Sequence, residues 1–139
     1  MTALYTAEAR VTGGRAAGHG RTPDGQLDVQ IRMPKELGGD GAGTNPEQLF
    51  AVGYAACFEA ALGLMAPGRT LTTTIDAKVS LVPAAGGALR LAVGLDVTLP
   101  DTDDAADLVR AAHRVCPYSN AIRGNVEVAF TVNGEPLAL

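Results

Sequence analysis

Residues Asn45–Ala66 read NPEQLFAVGYAACFEAALGLMA, with a lone cysteine, Cys57, near the middle. Asn45 reads as an N-cap, Pro46 suits the first helical position, and Gln48 completes an Asn-x-x-Gln capping box. Beyond Gln48 only Glu59 carries a charge, so the pattern predicts a helix that is apolar on nearly all sides and buried. At about 100° per residue, Gly53, Cys57, Ala60 and Leu64 fall on one stripe, flanked by Ala56 and Gly63. Such small side chains let a second backbone come close and leave Cys57 as the one reactive group on a smooth face. Pro67-Gly68 ends the helix.

Working outward, 139 residues predict a single domain over 1–139. Hydrophobic residues make up 47% but aromatics only 4%, without tryptophan, so the core must be built largely from Ala, Val and Leu. A short chain with such a core buries little area per side chain, and a homodimer sharing its core would relieve the shortage. A net charge of −4 and a pI near 5.0 argue against nucleic acid or an anionic membrane as partner. The opening MTALYTAEAR lacks a basic n-region and a long apolar run, so a cytoplasmic location is expected. The apolar run from Phe50 to Ala66 approaches membrane-spanning length, but Glu59 and the many Ala and Gly favour a core helix. Two cysteines without an export signal point to chemistry or metal before a structural disulfide.

Upstream, Leu4–Thr12 and Gln26–Met33 alternate as a β-hairpin. The connection between them, GGRAAGHGRTPDG, carries Arg15, His19 and Arg21 and is long for a hairpin loop. Glycine-dense MPKELGGDGAGT follows, without the Gly-Lys-Ser/Thr of a phosphate loop. Downstream, Thr70–Val82 and Leu89–Leu99 form a second hairpin around Pro-Ala-Ala-Gly-Gly. An acid-capped helix runs from Asp103 to about Val115, Cys116-Pro117 comes next, and Asn125–Val132 closes as a strand turned by Asn133-Gly134. The order β-β-α-β-β-α-β makes the fold class α+β with mainly antiparallel sheet.

A buried cysteine among apolar neighbours is ordinarily a small hydrophobe. Cys116, in His113-Arg114-Val115-Cys116-Pro117-Tyr118, matters only if its sulfur meets that of Cys57, and the two lie 59 positions apart. GTNPEQLFAVGYAACF and AHRVCPYSNAIRGNVEV, with TGGR at Thr12–Arg15 and PKELGG at Pro34–Gly39, resemble the organic hydroperoxide resistance (Ohr) branch of the Ohr/OsmC family. The resemblance runs in consistent order from Tyr5 to about Val128. It implies a thiol peroxidase that reduces alkyl or lipid hydroperoxides to alcohols and needs no cofactor or metal. It also implies an intertwined homodimer with two central helices wrapped by sheets, re-reduced by a dithiol on a lipoylated protein. By that resemblance Cys57 is the peroxidatic cysteine, Cys116 the resolving one, and Arg15 and Glu47 the activating pair.

Elementary chemistry is compatible with those roles. The nucleophile is thiolate, and a thiol in an apolar site sits above about 8.5 in pKa, so under roughly 3% is ionised at neutral pH. A guanidinium at about 4 Å supplies up to roughly 4 kcal/mol at an effective dielectric near 20, enough to overcome moderate desolvation. A carboxylate on that guanidinium orients it while cancelling part of its field, which makes Glu47 a positioner. Glu47 and Cys57 are ten residues apart on one helix, about 15 Å of rise. Either the helix breaks between them or Glu47 serves the Cys57 of a second chain; sites shared between subunits are expected, with Arg15 crossing over too. Phe50, Phe58 and Met65 are candidates for an apolar substrate wall. Arg21 competes with Arg15, because AAGHGRTPDG departs from the family pattern in length and composition. Two rival readings are a metal site from His113 and Cys116 completed by Cys57 and His19, and a non-enzymatic dimer that binds a small apolar ligand.

Overall fold

A computed structural model describes residues 1–139. The chain divides into two compact units, Met1–Leu49 and Phe50–Leu139. In the first unit, β1 (Arg10–Thr12), β2 (Gly18–Arg21) and β3 (Asp28–Ile31) form an antiparallel sheet in the order β1-β2-β3. The expected two-stranded hairpin is therefore three-stranded. Its supposed loop holds a single helical turn, α1 (Gly14–Ala17), and the central strand β2. Register pairs Thr12 with His19 and Arg21 with Asp28. A 3-10 turn at Lys35–Leu37 follows, and Thr44 bridges to Ile31 before the chain enters the long helix.

That helix, α2 (Pro46–Met65), is unbroken over 20 residues. The Gln48 amide donates to Asn45 Oδ1 at 2.9 Å, so the cap is the expected one. The second half of the box differs: Gln48 Oε1 accepts from the Thr44 hydroxyl at 2.8 Å.

In the second unit, β4 (Thr74–Pro83) and β5 (Leu89–Thr98) form the expected hairpin. Helix α3 spans Ala105–Val115, and a short helix, α4 (Pro117–Ile122), follows where no element was expected. Pro117 does not stop the chain; at the first helical position it costs no hydrogen bond. Strands β6 (Val128–Val132) and β7 (Glu135–Leu137) complete a sheet ordered β4-β5-β6-β7. Strand β6 runs parallel to β5, so the sheet is mixed, and Asn133 and Gly134, both at positive φ, turn β6 into β7.

By length and composition α2 could cross a bilayer. Instead Tyr54, Phe58, Ala61 and Leu62 enter a core with Val93, Leu95 and Val97 of β5, Val109 and Ala112 of α3, and Phe130 of β6. Burial all round, the sequence expectation, does not hold within one chain. Val52 and Leu64 are both 71% exposed, and Ala56, Ala60 and Gly63 are exposed beside them. The amphipathic division is invisible in hydropathy because both faces of the helix are apolar.

Candidate active site

The fold brings the two cysteines together. Cys116 Sγ lies 3.7 Å from Cys57 Sγ, and both are free thiols. Cys57 is partly exposed on α2; Cys116 is fully buried and is the one residue between α3 and α4, with extended backbone (φ −64, ψ 123). Its amide still donates to the Ala112 carbonyl at 2.8 Å, so α3 ends in a hydrogen bond and not in a frayed turn.

Aromatic rings wall the pair. Tyr118 packs against Phe50 and Tyr54, each at a centroid distance of 5.8 Å. This packing explains Gly53: a Cβ there would stand 2.7 Å from the Tyr118 hydroxyl. Phe58 is different, being fully buried with its ring 5.2 Å from Phe130. It belongs to the core and presents no surface to a substrate, whereas Met65 is partly buried at the core's edge two turns beyond Cys57.

Electrostatics here disfavour the anion. Burial pushes the Cys57 thiol up, the facing Tyr118 backbone amide pulls it back in part, and the adjacent Cys116 pushes it up again. None of these groups is a cation. Behind the sulfurs, Tyr54 Oη and Ser119 Oγ are 2.6 Å apart, and Ser119 Oγ is 2.9 Å from His113 Nδ1. Burial raises the Tyr54 phenol and lowers His113, the latter helped by the Arg123 charge. Sequence reasoning missed Tyr54, Tyr118 and Ser119. The one available signal was that Tyr118 and Ser119 directly follow Cys116-Pro117.

The remaining candidates are placed as follows. Arg15 is exposed on α1 and makes no ion pair, while Arg21 pairs with Asp28 at 3.4 Å. Glu47 is in the first turn of α2; because the helix does not break, its own Cys57 is about 15 Å away along the axis. His19 and His113, the imidazoles of the metal reading, are hydrogen-bonded to Asp28 at 2.6 Å and to Ser119.

Comparison with known proteins places this geometry. A family model described as OsmC-like protein matches residues 38–131. An organic hydroperoxide resistance protein of Xanthomonas axonopodis pv. citri is 46% identical over 136 residues, covering 93% of this chain and 94% of that protein. The chain belongs to the organic hydroperoxide resistance (Ohr) family. Organic hydroperoxide resistance protein OhrB of Bacillus subtilis is 47% identical over 131 residues, 91% of this chain and 96% of that one. Among solved Ohr structures, one from Legionella pneumophila superposes with a TM-score of 0.89 at 47% identity, covering 94% and 98% of the two chains. Another, described as a putative organic hydroperoxide resistance protein of Vibrio cholerae, holds captopril in one of its active sites. It gives a TM-score of 0.92 at 42% identity over 99% and 97%. The α+β fold, with its two main helices and mixed sheet, is that of Ohr proteins.

Proposed function

We propose that this chain is a thiol peroxidase for organic hydroperoxides, with Cys57 as nucleophile and Cys116 as resolving thiol. The 3.7 Å between two free sulfurs carries the reading. The Cys57 thiolate attacks the distal oxygen of R–O–OH, the O–O bond breaks, and the products are Cys57 sulfenic acid and an alkoxide that takes up a proton to become the alcohol. The Cys116 thiol then condenses with the sulfenic acid, giving the Cys57–Cys116 disulfide and water. A dithiol, on a lipoylated protein by family likeness, reduces that disulfide and is itself oxidised to a disulfide. We read Phe50 and Tyr118, whose rings pack against each other beside the Cys116 segment, as an apolar entrance suited to an alkyl or lipid group.

Within one chain burial makes Cys57 a poor acid, so the mechanism requires a cation, and Arg15, unlike Arg21, is uncommitted. Glu47 orients it. The exposed apolar face of α2 supports a homodimer: Val52 and Leu64 flank small Ala56, Ala60 and Gly63, which let two copies of the helix approach closely. A dimer would also supply Glu47 to the Cys57 it cannot reach in its own chain. A reducing cytoplasm suits a catalyst that must recover both thiols after each turnover.

The test is thiol titration after one equivalent of cumene hydroperoxide. Wild-type protein is expected to lose both thiols per chain, and Cys57→Ser to keep its remaining one and show no turnover. Survival of both thiols in the wild type, or full activity in Cys57→Ser, overturns the reading. Faster consumption of hydrogen peroxide than of cumene hydroperoxide rejects the apolar entrance.

A further inference from the structure

Ser119 takes no part in the chemistry above, yet it is fully buried and holds two hydrogen bonds. Its Oγ meets Tyr54 Oη at 2.6 Å and His113 Nδ1 at 2.9 Å. Tyr54 stands on α2, His113 on α3 and Ser119 on α4, so one hydroxyl joins three helices. Arg123 adds a second tie, donating to the His113 carbonyl and to Asn120 Oδ1. The Ser119–His113 and Arg123–His113 bonds both span Cys116, the extended residue between α3 and α4.

Counting protons orients the chain. The Tyr54 hydroxyl is buried and Ser119 Oγ is its one polar partner, so Tyr54 donates to Ser119. The Ser119 proton then goes to His113 Nδ1, which must be bare, and the imidazole is neutral with its proton on Nε2. The imidazole's burial and the Arg123 charge favour the same neutral form.

We propose that the Tyr54–Ser119–His113 chain positions the Cys116 segment for disulfide closure, making His113 and Ser119 positioning residues for the second chemical step. The proposal rests on the peroxidase reading above. The sulfurs, 3.7 Å apart, must close by roughly 1.6 Å to reach a disulfide bond of about 2.05 Å. Cys57 is fixed in the middle of an unbroken helix, so the movement falls to Cys116. Ties on both sides of that residue hold its thiol aimed at Cys57 while leaving one extended joint free to swing. A loose joint would leave the sulfenic acid waiting, open to a second peroxide and irreversible sulfinic acid.

The experiment separates the steps: stopped-flow mixing with cumene hydroperoxide, and mass spectrometry of the sulfenic, disulfide and sulfinic forms with time. In His113→Ala, sulfenic acid formation should keep the wild-type rate, while disulfide closure slows by about ten-fold or more and sulfinic acid accumulates. His113→Asn, whose Oδ1 can accept the Ser119 proton, should restore most of the closure rate. Ser119→Ala should match His113→Ala, but it strands the Tyr54 proton in the core, so its melting temperature is measured first. The His113 pair, on a partly exposed side chain, carries the test regardless of that variant. Wild-type closure rates in His113→Ala, or no rescue by His113→Asn, overturn the proposal. A wild type that forms sulfenic acid and disulfide while the variants do likewise defeats only this inference; a wild type that forms neither defeats the peroxidase reading with it.

Discussion

Cys57 sits midway along an unbroken helix and is partly exposed, whereas Cys116 is fully buried and occupies the extended residue between two helices. On the proposed mechanism the contrast divides the labour between the two sulfurs. The proposed nucleophile is partly exposed on rigid scaffold, where orientation is set in advance. The proposed resolving sulfur is buried and stands at the extended joint between two helices. On the proposed mechanism, exchanging the two settings would expose the resolving thiol to peroxide first and place the nucleophile at the joint. The same contrast explains why burial alone works against Cys57: its own surroundings supply shape and access but no positive charge.

The charge deficit gives the largest expected effect. If Arg15 supplies the missing cation, Arg15→Ala should slow sulfenic acid formation by about 10²- to 10³-fold, the Coulombic worth of a guanidinium at about 4 Å. Arg21→Ala should change that rate little, because Asp28 already holds the Arg21 side chain. Stopped-flow kinetics on both variants decide; equal losses would return Arg21 to the site. Next is the hinge side of the contrast. Cys116→Ser should still reduce one equivalent of peroxide at the wild-type rate but then collect sulfinic acid under excess peroxide. Mass spectrometry reads this directly, and a variant that resists overoxidation would show that Cys116 is not the thiol that resolves Cys57.

A smaller effect tests how the walls are built. Gly53→Ala gains about 1 kcal/mol of helix propensity. It also places a methyl 2.7 Å from the Tyr118 hydroxyl, in a ring packed against Phe50 and Tyr54. Overpacking of that kind costs about 1–3 kcal/mol, so the net expectation is a loss of up to about 2 kcal/mol in denaturant unfolding. Because the Tyr118 amide faces Cys57, the displaced ring should also alter thiol reactivity with a neutral alkylating agent. A stabilised variant would mean that the ring moves aside freely.

The rigid half of this comparison was readable in the sequence; of the hinged half, only the helix end at Cys116-Pro117, a place for the backbone to yield, was. Helix α2 announced itself through Asn45, Pro46 and Pro67-Gly68, and the β4–β5 hairpin through long β-rich runs around a turn. Strand β2 was hidden because its inward positions are glycines; a Cβ at Gly18 would lie 2.1 Å from the Gly14 carbonyl oxygen. Strand β7 was hidden by Pro136, which edge strands tolerate, and α4, only six residues long, was too short to show a helical period. The exposed half of α2 could not be foreseen from hydropathy, since Val52 and Leu64 look like core. At the site, Cys57 and Cys116 were paired through family likeness and not through spacing. Tyr54 and Ser119, 65 positions apart, carried no pattern that links them.

The smallest effect, a dependence on pH, probes the hinge from behind. Burial, then the nearby Arg123 charge, lowers the pKa of His113 below its ordinary value near 6.5. The unfolded chain therefore binds a proton at this residue before the folded one does. The stability it contributes is fully present above about 6.5 and is lost as pH falls through that value toward the lowered folded pKa. The groups around the imidazole are Arg123, the Ser119 hydroxyl, the Phe130 ring, and Glu127 and Leu139 along the same cavity. Protonation adds a second positive charge beside Arg123 and turns Nδ1 from acceptor to donor, which leaves one buried hydroxyl proton without a partner. Between pH 7.5 and 5 the melting temperature of the wild type should fall more steeply than that of His113→Asn, which cannot take up the proton. Surface carboxylates contribute alike to both proteins and cancel in the difference. Parallel curves would mean that His113 carries no proton-linked stability.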